Sequence, residues 1–212
     1  VDNIGVLYDA GVNSIFWVRP VISLSSEAKL TGDGTWNNVY EVEKKGYETI
    51  LANNTVHETT PDFSKVATTN EGLFKARDDL GDSYYFRGAV DNNWVKFGKD
   101  SSGKDIYWRI IRINGDGSIR MIYTGTSKPE SGTATVMKGE GTQISTSTFN
   151  SSYSKAEYVG YQYIKGQQHG YGECNGTSAS CTVDGNTVYN STIKQTIDKW
   201  YAGTTLETDI AT

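Results

Sequence analysis

The sequence predicts a β-rich α+β fold, with antiparallel sheets and one or two short helices. Two observations carry this. The 212-residue chain holds 14 Tyr, 5 Trp and 6 Phe beside 23 Gly, with only 3 Pro and 2 Met. Aromatic and β-branched runs punctuated by Gly turns suit strands. The second is local: Ile106–Ile113 and Ser118–Thr124 flank Asn114-Gly115-Asp116-Gly117, the clearest hairpin signal in the chain. Aromatics this dense bury enough area to offset chain entropy, which excludes disorder.

Taken in order, segment 3–24 reads as two short strands around a turn at Asp9-Ala10-Gly11, and its strongest run is Ile15–Leu24. Pro20 lacks a ladder donor and marks an edge, a bulge or a position facing away from a partner. Thr31-Gly32-Asp33-Gly34-Thr35 is a turn and Trp36–Val42 a strand. Residues 43–52 fit a short helix, and polar 57–72, with Pro61, reads as a connector. The change of period and the burst of charge place a domain boundary near 42–46.

The heart of the sheet is 82–124. Tyr84–Val90 and Trp94–Phe97 precede the hairpin, in which Trp108, Ile110, Met121 and Tyr123 alternate with Ile111, Ile113 and Ile122. Apolar groups on both parities predict a central, covered hairpin, with Arg109, Arg112 and Arg120 at the rim or paired with carboxylates. Ser/Thr/Gly-rich 126–156 reads as a long loop, Glu157–Ile164 as a strand, and 165–190 as a Gly-rich excursion. The C-terminal stretch is helical: Ser191 or Thr192 caps it, and Ile193, Ile197 and Trp200 or Tyr201 share a face.

Charge and motif content exclude several functions. The formal net charge is −5 and there is no basic block, so the footprint of a nucleic-acid binder is missing. No apolar run reaches membrane-span length. The chain opens on Val1 rather than Met, which reads as a processed product or a piece of something longer, so the missing signal peptide says nothing of secretion. Cys174 and Cys181 bracket a short polar loop and read as one local disulfide, the alternative being two thiols in a reduced cytosol. His57 and His169 lie in polar segments and no Gly-x-Ser-x-Gly elbow occurs, so the chain is not read as an enzyme. Asp78, Asp79 and Asp82 read as a solvated turn. No cofactor is implied, although an acidic loop of this kind leaves room for calcium. The Asn-x-Ser/Thr sequons at Asn53, Asn150, Asn175 and Asn190 read as surface loops.

The aromatic surplus carries the functional weight. Tyr, Asn, Ser and Gly mixtures make adaptable recognition surfaces. Candidate ligand contacts are Tyr8, Asn13 and Phe16 in the irregular N-terminal stretch, with Tyr85, Trp94 and Tyr107 as groove residues. Core packing is the competing reading for each.

Several stretches resemble a large group of uncharacterised surface proteins of gut Firmicutes. They are Asp82–Val90, Trp94–Phe97, Ile106–Tyr123, Tyr158-Val159-Gly160-Tyr161 and Ile193–Tyr201, within a resemblance covering most of 50–212. Those proteins look like relatives of the C-type-lectin-like and formylglycine-generating-enzyme-like folds, and nothing here matches the cysteine pair of the catalytic relatives. In them a module closes with a Val-Arg-Pro-Val-Ile strand and a Gly-Asp-Gly-Thr turn. Here those motifs, Val18–Ile22 and Gly32–Thr35, come first. The resemblance therefore implies three parts: 1–42, the closing strand segment of a preceding or complemented module; 43–72, a helix and connector; and 73–212, the start of the main module. It implies an extracellular, cell-surface adhesin-type module binding a host glycan or protein. The alternative is a filament or pilus subunit in which Ile15, Trp17, Val18, Val21 and Ile22 complement another copy or an adjacent module of the same polypeptide.

Overall fold

The computed structural model describes residues 15–24, 28–44, 46–130, 139–149 and 177–210. In chain order the elements are β1 (Ile15–Val18), β2 (Val21–Leu24), β3 (Ala28–Thr31), β4 (Tyr40–Lys44), α1 (Tyr47–Ala52), β5 (Val56–His57), β6 (Asn70–Asp78), β7 (Gly81–Gly88), β8 (Trp94–Lys99), β9 (Asp105–Ile113), β10 (Ile119–Gly125), a 3-10 turn (Glu140–Thr142), β11 (Ser145–Thr148), β12 (Ser180–Val183), β13 (Asn186–Tyr189), α2 (Thr192–Ala202) and α3 (Leu206–Ile210). The β-rich α+β class stands, with three α-helices among the described residues. The sheet is mixed rather than purely antiparallel, because β4 runs parallel to β8 and β5 parallel to β6. Among the described residues no helix is long and apolar enough to cross a membrane.

The chain forms two compact units, Pro20–Thr142 and Val1–Arg19 with Gln143–Thr212. The expected break near 42–46 is therefore not where the units divide. Both sides of it belong to one sheet, since β3 pairs with β4 and β4 continues onto β8.

The Pro20–Thr142 unit is built on a nine-stranded sheet, ordered β3-β4-β8-β9-β7-β6-β5, with β10 joining β9 to β2. The central strand is β9. One edge of it takes β10 along almost its whole length. The other edge is shared: β8 covers Asp105 to Arg109, and β7 covers Arg112 and Ile113. The sheet forks between them, and buried Asn93 fills the fork. Its side-chain amide donates to the Ile110 carbonyl at 2.8 Å, and the Ile110 N–H donates to the Asn93 carbonyl at 2.9 Å. Arg109 donates from Nε to Asn93 Oδ1 at 2.6 Å, donates from a terminal nitrogen to the Val90 carbonyl, and lies 4.8 Å over the Trp94 ring. The half-buried guanidinium is tolerable here because acceptors and an aromatic face meet it.

The predicted hairpin forms. The Asn114 N–H donates to the Ser118 carbonyl at 2.8 Å, closing the turn. Trp108, Ile110, Met121 and Tyr123 are buried as the alternation requires. Trp108 sets its ring edge-on to Tyr123 at 5.7 Å and donates Nε1–H to the Phe97 carbonyl at 2.8 Å. The second parity is only partly covered, with Ile111 37% exposed. Arg112 reaches Ser83 Oγ at 2.7 Å, while Arg120 is exposed.

Other elements depart from expectation. The strand expected at Trp36–Val42 begins at Tyr40, because the turn runs on through an Asn38–Thr35 hydrogen bond. In that turn Gly34 has φ +80°, and a Cβ there would sit 2.2 Å from the Asn92 carbonyl oxygen. Pro20 lies between β1 and β2, outside both ladders, and its carbonyl accepts from the Tyr123 N–H at 2.9 Å. β6 comes from a stretch that shows no clean alternation.

In the second unit β1 pairs antiparallel with β11. β12 and β13 form a hairpin through Asp184-Gly185, with φ +50° and +78°. This is the positive-φ pair a two-residue hairpin turn needs, within a stretch read as an irregular excursion. Ser191 caps α2 as expected, its side chain accepting from the Lys194 N–H at 3.3 Å. Thr196 Oγ1 meets Ser147 Oγ at 3.2 Å, tying α2 to β11. The strand expected at Glu157–Ile164 and the turn at Asp9–Gly11 lie outside the described residues.

Candidate functional site

Cross-strand register places His57 opposite Phe74 on β6, Phe74 opposite Tyr85 on β7, and Tyr85 opposite Arg112 on β9. Positions in one row share a sheet face. The rings accordingly stack in series: His57 on Phe74 at 4.8 Å and 28°, and Phe74 on Tyr85 at 5.9 Å and 22°. Phe63, from the loop joining β5 to β6, stacks on Tyr85 at 6.3 Å and 27°.

The loop is held by Arg87, two residues from Tyr85 along β7. Its Nε donates to Glu71 Oε2 at 2.5 Å, and Nη2 donates to the carbonyls of Asp62 (3.1 Å) and Lys65 (2.8 Å). The same guanidinium lies 5.1 Å over the Phe63 ring. Asp62 makes the turn itself. Its carboxylate accepts from the Ser64 hydroxyl at 2.6 Å and the Ser64 N–H at 3.0 Å, and Ser64 is the first cause holding that carboxyl below its ordinary range. Gly88, with φ +87°, lets the loop's exit pass: a Cβ there would sit 1.9 Å from the Thr69 carbonyl oxygen. This fixed loop leaves Phe63 64% and Val66 87% exposed.

The platform gathers only one of the expected ligand contacts, Tyr85. Trp94 is fully buried under Arg109 and belongs to the core with Val39 and Tyr107. It has no face left for a ligand, which corrects its assignment. Tyr8 and Asn13 lie outside the described residues, and Phe16 is placed only as the strand position opposite Ser147. The segment expected to cross between copies pairs within the chain. Ile15, Trp17 and Val18 lie opposite Thr148, Thr146 and Ser145, and Val21 and Ile22 lie opposite Ile122 and Met121. A strand from another copy would have to displace β2 from β10. Cys181 sits on β12 opposite Val188, and Cys174 lies outside the described residues.

In the acidic stretch Asp78 and Asp82 have structural partners. Asp78 accepts from the N–H groups of Gly115 (2.8 Å) and Leu80 (2.9 Å), joining two hairpin turns, and Asp82 pairs with Lys75 at 3.0 Å. Among the described residues no group of three or more His, Cys, Asp or Glu is placed to hold a metal ion. Phe63 and Arg87 were the residues sequence reasoning missed. The available signal was Asp62-Phe63-Ser64, a turn-forming Asp carrying an apolar ring inside a polar connector. Comparison with protein-family models, curated proteins and solved structures finds no match.

Proposed function

We propose that the chain is an extracellular bacterial adhesin-type binding module, and that the Phe63 platform is its ligand contact. One observation carries the reading: an exposed aromatic ring on a fixed base. A loop that merely connects two strands gains little from holding Phe63 and Val66 outward. Such a ring loses little conformational freedom on binding and presents its apolar face at once. Aromatic side chains are enriched where proteins meet their ligands. The extracellular placement rests on the resemblance of 82–123 and on the expected Cys174–Cys181 bridge. The lectin-like relation belongs to the same proposal, with which the β-rich fold agrees. The partner is a host or neighbour-cell glycan or protein.

The test compares wild type and Phe63→Ala on glycan and protein arrays and on intact cells, with denaturation midpoints as the folding control. Binding lost at an unchanged midpoint supports the reading, and undiminished binding by the variant overturns it. Fibres by electron microscopy, with no ligand bound by either protein, would replace it with the filament reading.

A further inference from the structure

At the other end of the large sheet a second cross-strand row is polar. Thr31 on β3 lies opposite Glu41 on β4, Glu41 opposite Lys96 on β8, and Lys96 opposite Tyr107 on β9. All four line an open groove of about 420 Å³, walled by Asn37 from the β3–β4 turn and by Lys128 beyond β10. That volume is within the range of small-molecule sites.

The groups in the groove have set roles. Glu41 and Lys96 are paired at 2.6 Å, which orients both and leaves the second Glu41 oxygen as an acceptor. The Asn37 amide lies 2.6 Å from the Thr35 hydroxyl, whose one proton is shared with the Asp33 carboxylate at 2.6 Å, so the amide offers the groove a polar end able to meet a hydroxyl. Tyr107 is only 6% exposed, and burial pushes its phenol up, keeping it a neutral donor on the floor. Lys128 is exposed, and among the described residues no carboxylate pairs with it. The groove is thus rich in donors, carries one cation beyond its internal ion pair, and has one carboxylate acceptor, on a chain of net charge −5.

We infer that this groove binds a carboxylate-bearing saccharide, its carboxylate on Lys128 and its hydroxyls on Asn37, Glu41, Lys96 and Thr31. A neutral sugar would gain nothing from the Lys128 ammonium, which water solvates in its absence, whereas a carboxylate pairs with it. A simple carboxylate would leave the Glu41 and Thr31 positions unused. The site shares no residue with the Phe63 platform and stands or falls separately from it.

The whole chain is titrated by calorimetry and by amide NMR shifts with trigalacturonate, with neutral trigalactose and with sodium acetate. Wild type, Lys128→Gln, Glu41→Gln and Phe63→Ala are compared. Trigalacturonate binds wild type and Phe63→Ala alike, with shifts at residues 31–41 and 96. Lys128→Gln weakens it by about tenfold, as loss of a charged contact does, and Glu41→Gln weakens it while leaving acetate unaffected. Raised salt weakens the trigalacturonate complex. Equal binding of trigalactose, acetate competing as well as the trisaccharide, or Lys128→Gln binding like wild type would each overturn the inference. So would no binding of trigalacturonate by the folded wild type.

Discussion

Arg87 is the residue whose loss most directly probes the platform. Its side chain is 13% exposed, and it makes two hydrogen bonds to loop carbonyls, one to Glu71, and a stacking contact with Phe63. Bonds from a charged donor contribute about 1.5–3 kcal/mol each, and a cation over an exposed ring about 0.5–1 kcal/mol. The Asp62 and Lys65 carbonyls can turn to water once released, and Glu71 is partly solvated, so much of that sum is recovered. A net cost of about 2 kcal/mol remains for Arg87→Ala. It falls on the loop, because loops open locally before the sheet does. Amide exchange at Ser64 and Lys65, whose N–H groups are bonded inside the turn, should then quicken by about 30-fold, at roughly 1.4 kcal/mol per tenfold. Arg87→Lys keeps the charge without the planar fork and should fall between. Ligand binding should weaken in the same order, although Phe63 is untouched. Unchanged exchange at Ser64 and Lys65 in Arg87→Ala, with a lowered global denaturation midpoint, would refute the reasoning.

Three further outcomes follow from the packing. Gly115 and Leu80 N–H groups hold the Asp78 carboxyl below its ordinary 3.8, so its contribution is full above that value and lost as pH falls through the lower folded one. Urea midpoints of wild type and Asp78→Asn should therefore differ at pH 7 and converge in strong acid, and a constant difference would refute the assignment. Trp108→Phe removes a fully buried indole and its bond to the Phe97 carbonyl. It should cost about 2–4 kcal/mol in urea unfolding at an unchanged m-value. Ser191→Ala removes the α2 cap and should cost about 1 kcal/mol, measured by amide exchange in the first turn, with Ser191→Asp restoring it.

Sequence reached the elements whose signal is local and failed where structure depends on distant partners. The β9–β10 hairpin was legible because alternation and the Asn-Gly-Asp-Gly turn coincide within one stretch, and the α2 cap for the same reason. The β12–β13 hairpin carried an equally local signal in Asp184-Gly185, obscured by reading the whole excursion through its cysteines. β6 was not legible. Leu73 and Phe74 are adjacent, one in the core and one stacked on Tyr85, so both parities carry an apolar group and the alternation is blurred. Trp94 and Tyr85 show the limit of composition. Both are aromatic residues at strand positions, and only Asn93 and Arg109, arriving from the fork, bury one and leave the other on an open row. Phe63 depends on an arginine 24 positions away (87 − 63) whose bonds cross from strand to loop. The groove at the other end of the sheet goes further in the same direction. Tyr107 is a groove candidate in the sequence, but Thr31, Glu41 and Lys96 carry no signal there, and the four form one row only because a parallel pairing, β4 on β8, sits between two antiparallel ones. Residue types in this chain therefore offered candidate contacts, while register decided which of those residues meet. A one-residue slip of β4 on β8 would turn Glu41 to the opposite face and dissolve the groove without changing a single side chain.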